Sequence, residues 1–189
     1  MINFKISQYK YVLLITSIIG LISSFVLTVE KINLIKNPAY VPTCSFNPVF
    51  SCANIMSSWQ AELFGFPNPL LGIVGFSITL CVAMSLFAGA KFTKWYRNFL
   101  HMGVSLAMLF CVWLYYNAFF VIGYACLYCI FVWFCITPMF YYTCAYNFII
   151  CNKSEFLVNT FKSKTLAFVI ITYMVGILIF CYRFSDFLF

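Results

Sequence analysis

The chain has 189 residues, 65% of them hydrophobic and only 8% charged, far from the composition of a soluble domain. With only 4 acidic residues it cannot cover a large solvated surface, so it reads as an all-α integral membrane protein with room for about four to six spanning helices of about 20 residues each. The net charge of +7 implies no nucleic-acid partner, because Lys and Arg sit near the ends of apolar runs, where they set topology against membrane lipid.

In chain order, Lys5 and Lys10 precede a first predicted span over residues 11–29. Its length, and the absence of an A-x-A-like site around Thr28-Val29-Glu30-Lys31, predict a retained helix instead of a cleaved signal peptide. From residue 30 to about 68 the composition changes, and Pro38, Pro42, Pro48 and Pro67 predict one sizeable extramembrane loop. Cys44 and Cys52 lie in it. After Cys52, the spacing of Ile55, Met56, Trp59 and Leu63 predicts a short amphipathic helix on the bilayer surface, with Ser51 as N-cap and Gly65 as stop; a solvated loop helix is the alternative.

Further spans are predicted over about 69–90, 99–120, 125–146 and 166–182. Pro138 is expected to kink the fourth, and a polar link with Lys153, Lys162 and Lys164 leads to the fifth. One membrane domain, 1–189, is expected, with a core over 10–150 and a cytoplasmic link and fifth helix over 151–189. Five spans place eight of the eleven basic residues on one side: Lys5, Lys10, Lys91, Lys94, Arg97, Lys153, Lys162 and Lys164. The positive-inside rule then puts the large loop and the turn before Cys126 outside the cytoplasm, where disulfides persist.

Cys126-Leu127-Tyr128-Cys129 is a C-x-x-C at the start of an apolar run. In a helix the two cysteines share a face in the first turn, where unsatisfied N–H groups stabilise a thiolate. Together with Cys44 and Cys52 they make two dithiols on one side of the membrane, suited to a thiol–disulfide relay. A lipid-soluble quinone is the acceptor that fits, since there is no nucleotide-binding glycine motif and Ile130 follows Cys129 where a haem-attachment motif needs His. Three other readings remain open: a chance C-x-x-C, a zinc site made by all four of these cysteines, and a structural disulfide in a non-enzymatic protein. Cys81, Cys111, Cys135, Cys144, Cys151 and Cys181 read as inert packing residues, and His101 as interfacial.

The ordered set Cys44-x7-Cys52, Ser57-Ser58, Gly65-Phe66-Pro67-Asn68-Pro69-Leu70-Leu71-Gly72 and Cys126-x-x-Cys129 resembles the vitamin K epoxide reductase family, including its bacterial disulfide-forming members. The resemblance implies a four-helix transmembrane bundle around a quinone, ubiquinone or menaquinone, with an accessory fifth helix. It also implies roles. Cys44 and Cys52 would be the shuttle pair, Cys52 would exchange with Cys126, and Cys129 would react with the quinone. Ser58 would lie near the active site, Asn68 would hydrogen-bond a quinone oxygen, and Met56 would be pocket wall. Trp133 stands where the vertebrate epoxide-reducing enzymes carry a tyrosine, which leaves quinone contact possible and puts epoxide chemistry in doubt. The implied activity is thiol:quinone oxidoreduction in a bacterial inner membrane, the site facing the periplasm and a separate thioredoxin-fold, DsbA-like protein supplying the dithiol. Epoxide reduction is the alternative within the family. The unrelated DsbB family carries its two cysteine pairs in the reverse order.

Overall fold

The N-terminal helix organises the bundle. In a computed structural model that describes the backbone of residues 2–45, 49–151 and 155–185, and side chains over 8–45, 49–150 and 164–185, helix α1 spans Ile2–Lys36. It is followed by α2 (Cys52–Met56), a 3-10 turn (Trp59–Glu62), α3 (Pro69–Phe87) and α4 (Lys94–Tyr116). Helix α4 continues into a π-helical turn (Asn117–Ile122), and α5 (Leu127–Cys151) and α6 (Glu155–Arg183) complete the chain. Five of these, α1, α3, α4 with its π turn, α5 and α6, are long and apolar enough to cross a membrane. The protein is thus an all-helical, multi-pass membrane protein. Pro48 and Lys153, and the side chains of Lys5, Lys162 and Cys151, lie outside the described residues.

Helix α1 packs against α3 and α5, α5 packs against α4 as well, and α6 lies on the outer side of α5. In a bilayer, where apolar burial drives little helix association, close backbone approach must carry these contacts. Gly20 accordingly faces the Phe76 ring and Gly72 faces Ser24, each at a distance that leaves no room for a Cβ. Ser17 and Thr79 share a buried hydrogen bond of 2.8 Å between α1 and α3, and Tyr9 stacks on Tyr146 of α5 at 4.3 Å. Helices α3 and α4 scarcely touch.

Three expectations need correction. The first helix does not end at residue 29 but continues to Lys36, carrying Glu30 and Lys31 with it. Both charges are buried and both are partnered. Glu30 accepts hydrogen bonds from Tyr40 (2.8 Å) and the Thr43 hydroxyl (2.6 Å). Lys31 pairs with Glu62 at 2.8 Å and donates to the Met56 carbonyl at 2.6 Å. A charge compensated in this way does not have to stop a helix.

The segment after Cys52 is two short helical pieces, broken at Ser58, whose backbone is extended. Ser51 holds the N-cap position without a capping bond, while Gly65 does turn the chain, at φ +79°. The polar link before α6 is also largely helical, since α5 runs to Cys151 and α6 starts at Glu155.

Helix α5 runs through Pro138. Proline has no N–H to give to the carbonyl four residues back, that of Phe134. The Tyr173 hydroxyl of α6 takes that carbonyl, at 2.6 Å.

Candidate active site

The site lies where the first loop meets the start of α5. Phe50 and Ala125 form an isolated parallel bridge: Ala125 N–H donates to the Val49 carbonyl at 2.9 Å, and Ser51 N–H donates to the Ala125 carbonyl at 3.1 Å. A cysteine follows closely on each side of the bridge. The pairing brings Cys52 Sγ to 3.3 Å from Cys126 Sγ, although the two are 74 residues apart in sequence. Cys44 and Cys52 are joined in a disulfide, whereas Cys126 and Cys129 are free thiols. Cys44, Cys52 and Cys126 are almost wholly buried, packed with Leu27 and Met56.

Cys126 precedes the first residue of α5, so it occupies the capping position instead of the first turn expected for it. Its sulfur takes the place of a capping oxygen and accepts the Cys129 N–H at 3.4 Å. The Cys129 thiol and then the N–H groups of Cys129 and Tyr128 hold the Cys126 thiol below its ordinary pKa, against burial, which raises it. A nucleophilic sulfur is thus poised beside a disulfide sulfur, the arrangement that thiol–disulfide exchange requires.

The loop pair is fixed from α1. Thr43, next to Cys44, is held by Glu30 through its hydroxyl and, at 3.4 Å, its N–H. Beneath the pairs lies a cavity of about 740 Å³ with a predominantly apolar lining, inside the bundle. Cys126 and Cys129 form part of its wall. Cys129 is densely surrounded yet keeps accessible surface, because that surface opens on the cavity.

All four residues expected around the acceptor line this space: Met56, Ser58, Asn68 and Trp133. Met56 is buried. Ser58 donates its hydroxyl to the Ile55 carbonyl at 2.7 Å. Asn68 begins α3 ahead of Pro69 and donates one N–H to the Gln60 carbonyl at 2.6 Å, while its Oδ1 is buried without a partner. Sequence reasoning missed further polar residues at the cavity, among them Lys31, Gln60 and Asn117. Asn117, a polar residue inside an apolar run, carried a signal; its amide bonds the Trp113 carbonyl at 2.8 Å where α4 changes to π-helical winding.

For metal binding, the ligand atoms of Cys44, Cys52 and Cys126 lie within 4.8 Å of one another, but two of these sulfurs are bonded together and Cys129 falls outside the group. No tetrahedral set of four thiolates is assembled among the described residues.

The model of the vitamin K epoxide reductase family matches residues 11–144, a stretch that contains both cysteine pairs, the bridge and the cavity. The chain belongs to the vitamin K epoxide reductase family. A comparison with curated proteins gives no match. Members of the family are membrane oxidoreductases, and the Cys44–Cys52 disulfide beside Cys126 and Cys129 fits thiol redox chemistry.

Proposed function

We propose that this vitamin K epoxide reductase family protein is a membrane thiol:quinone oxidoreductase, acting as one membrane domain, that reoxidises a secreted thioredoxin-fold protein and so supports disulfide formation. The observation that carries the reading is the 3.3 Å approach of Cys52 to Cys126 at the wall of an apolar cavity. A quinone bound there would accept two electrons and two protons. The fit rests on the cavity's lining and on the orphaned Asn68 Oδ1, a buried acceptor that costs about 1–3 kcal/mol unless an O–H or N–H meets it. A hydroquinone hydroxyl is such a donor, and the second Asn68 N–H can serve a quinone oxygen.

The steps follow from the sulfur positions. A dithiol partner reduces Cys44–Cys52 by attack on Cys44, leaving as its own disulfide. The freed Cys52 thiolate attacks Cys126 of an oxidised Cys126–Cys129 pair, and Cys129 leaves as a thiolate. Cys44 then attacks Cys52, which re-forms the loop disulfide and releases Cys126. The electron pair then resides on Cys126 and Cys129, with the loop pair bonded again. Oxidation of these two thiols at the cavity wall completes the cycle.

A lipid-borne acceptor also needs a way in. The poorly packed seam between α3 and α4 provides one, and Gly75 and Gly103 on these helices face open space. With the basic residues inside, the thiols face the periplasm of a bacterial inner membrane. The test is anaerobic stopped-flow absorbance with a ubiquinone or menaquinone analogue and a reduced thioredoxin-fold protein. Quinone reduction should fall to background in Cys126→Ala and Cys129→Ala; wild-type turnover in either rejects the relay.

A further inference from the structure

Helix α6 contributes no described residue to the cavity wall, yet it is bonded to the elements that do. The Tyr115 hydroxyl of α4 donates to the Gly176 carbonyl at 2.6 Å, Tyr173 takes the Phe134 carbonyl left by Pro138, and Arg183 Nε donates to the Phe119 carbonyl of the π turn at 3.0 Å. The first two of these contacts meet at Trp133. Its indole lies 5.4 Å from the rings of both Tyr115 and Tyr173 and 5.3 Å from that of Phe134. Against its far edge is the backbone of Gly176, where a Cβ would collide with Cη2 and stand 2.8 Å from Cζ2.

Trp133 follows Cys129 by four residues, so the two lie one above the other on α5, and both line the cavity. Trp133, with Tyr115, Phe134 and Tyr173 around its indole, thus stands between Gly176 of α6 and the cavity whose wall it forms. We propose that α6 is part of the acceptor site: Gly176, locked to Tyr115, is a positioning residue that sets how far the Trp133 indole projects beside Cys129, and thereby the width available to a flat quinone ring. This rests on the quinone reading above.

The consequence is a steric one. A methyl group at position 176 must push the indole toward the ring site, whereas thiol exchange between Cys52 and Cys126 lies outside its reach. Gly176→Ala should raise KM for a naphthoquinone analogue by about tenfold, and less for a benzoquinone analogue, with kcat and the quinone-free exchange rate unchanged. Tyr115→Phe, a milder change that keeps the ring and removes the bond to Gly176, should shift the same ratio in a protein that folds.

The deciding comparison is Gly176→Ala in a Trp133→Leu background, where the smaller side chain should cut the added effect to about twofold or less. An unchanged KM in Gly176→Ala, or the same increase with and without Trp133, overturns the proposal. Absence of quinone turnover in the unaltered protein overturns the functional reading itself, and with it this one; turnover that ignores Gly176 overturns only this one.

Discussion

The α1–α3 seam and the α3–α4 seam use the same residue type for opposite ends. Gly20 and Gly72 stand where a side chain would strike Phe76 or Ser24, so their missing Cβ atoms let α1 and α3 close on each other. Gly75 and Gly103 have nothing within 4 Å of the Cβ position. On α3, Gly72 and Gly75 are three residues apart and mark the change from close contact with Ser24 of α1 to open space at the cavity. A glycine in a membrane helix therefore has a meaning only through what stands opposite it.

Substitutions at the two seams should separate these meanings. Gly20→Leu forces a branched side chain into the Phe76 ring and should destabilise the bundle by about 1–3 kcal/mol, read as a lowered midpoint in a thermal or detergent unfolding titration. Gly103→Leu should leave that midpoint in place and instead raise KM for quinone by about tenfold, the scale of ~1.4 kcal/mol, by filling the open seam. If Gly103→Leu leaves KM unchanged in a protein that folds, the seam is not an access route.

Asn68→Ala, at the end of the cavity nearer the loop, removes one polar contact and should weaken quinone binding about fivefold, or ~1 kcal/mol, while both disulfides still form; equal binding would remove Asn68 from the site. The smallest effect is one of pH. Since Cys126 has a lowered pKa, its thiolate persists as pH falls through the range where ordinary thiols protonate, and it is lost only below that. Ultraviolet thiolate absorbance, with Cys126→Ser as control, should show this, and Cys129→Ala should move the loss back toward higher pH. Loss at the ordinary thiol pH in the unaltered protein would contradict the capping account.

The spans and the two cysteine pairs were legible because their signals are local: runs of apolar residues, prolines in the loop, spacings of eight and three. The extension of α1 to Lys36 was not, since the groups that neutralise Glu30 and Lys31 come from Thr43, Tyr40, Glu62 and the Met56 carbonyl, and nothing around residue 30 announces them. The break at Ser58 was hidden for a related reason. Apolar spacing past it continues as if for one helix, but Ser58 turns its hydroxyl back to the Ile55 carbonyl and its backbone becomes extended. Trp133 was placed at the acceptor by resemblance, while its support by Gly176 depends on a helix that begins after the matched region ends.

The bridge between Phe50 and Ala125 has a bearing on biogenesis. The loop cysteines emerge early in synthesis, and their spacing lets them pair as soon as the loop reaches an oxidising compartment. Their route to an acceptor is another matter, because Cys126 is 74 residues further along and comes within reach only when the strand-like pairing of 49–51 with Ala125 has formed. Until α5 is threaded into the membrane beside α1, a nascent chain can hold the loop disulfide but has no Cys126 beside it to exchange with. On the relay proposed above, repeated turnover is therefore a late event of assembly, and a truncated or misthreaded chain could pass on its one loop disulfide but could not renew it through Cys126.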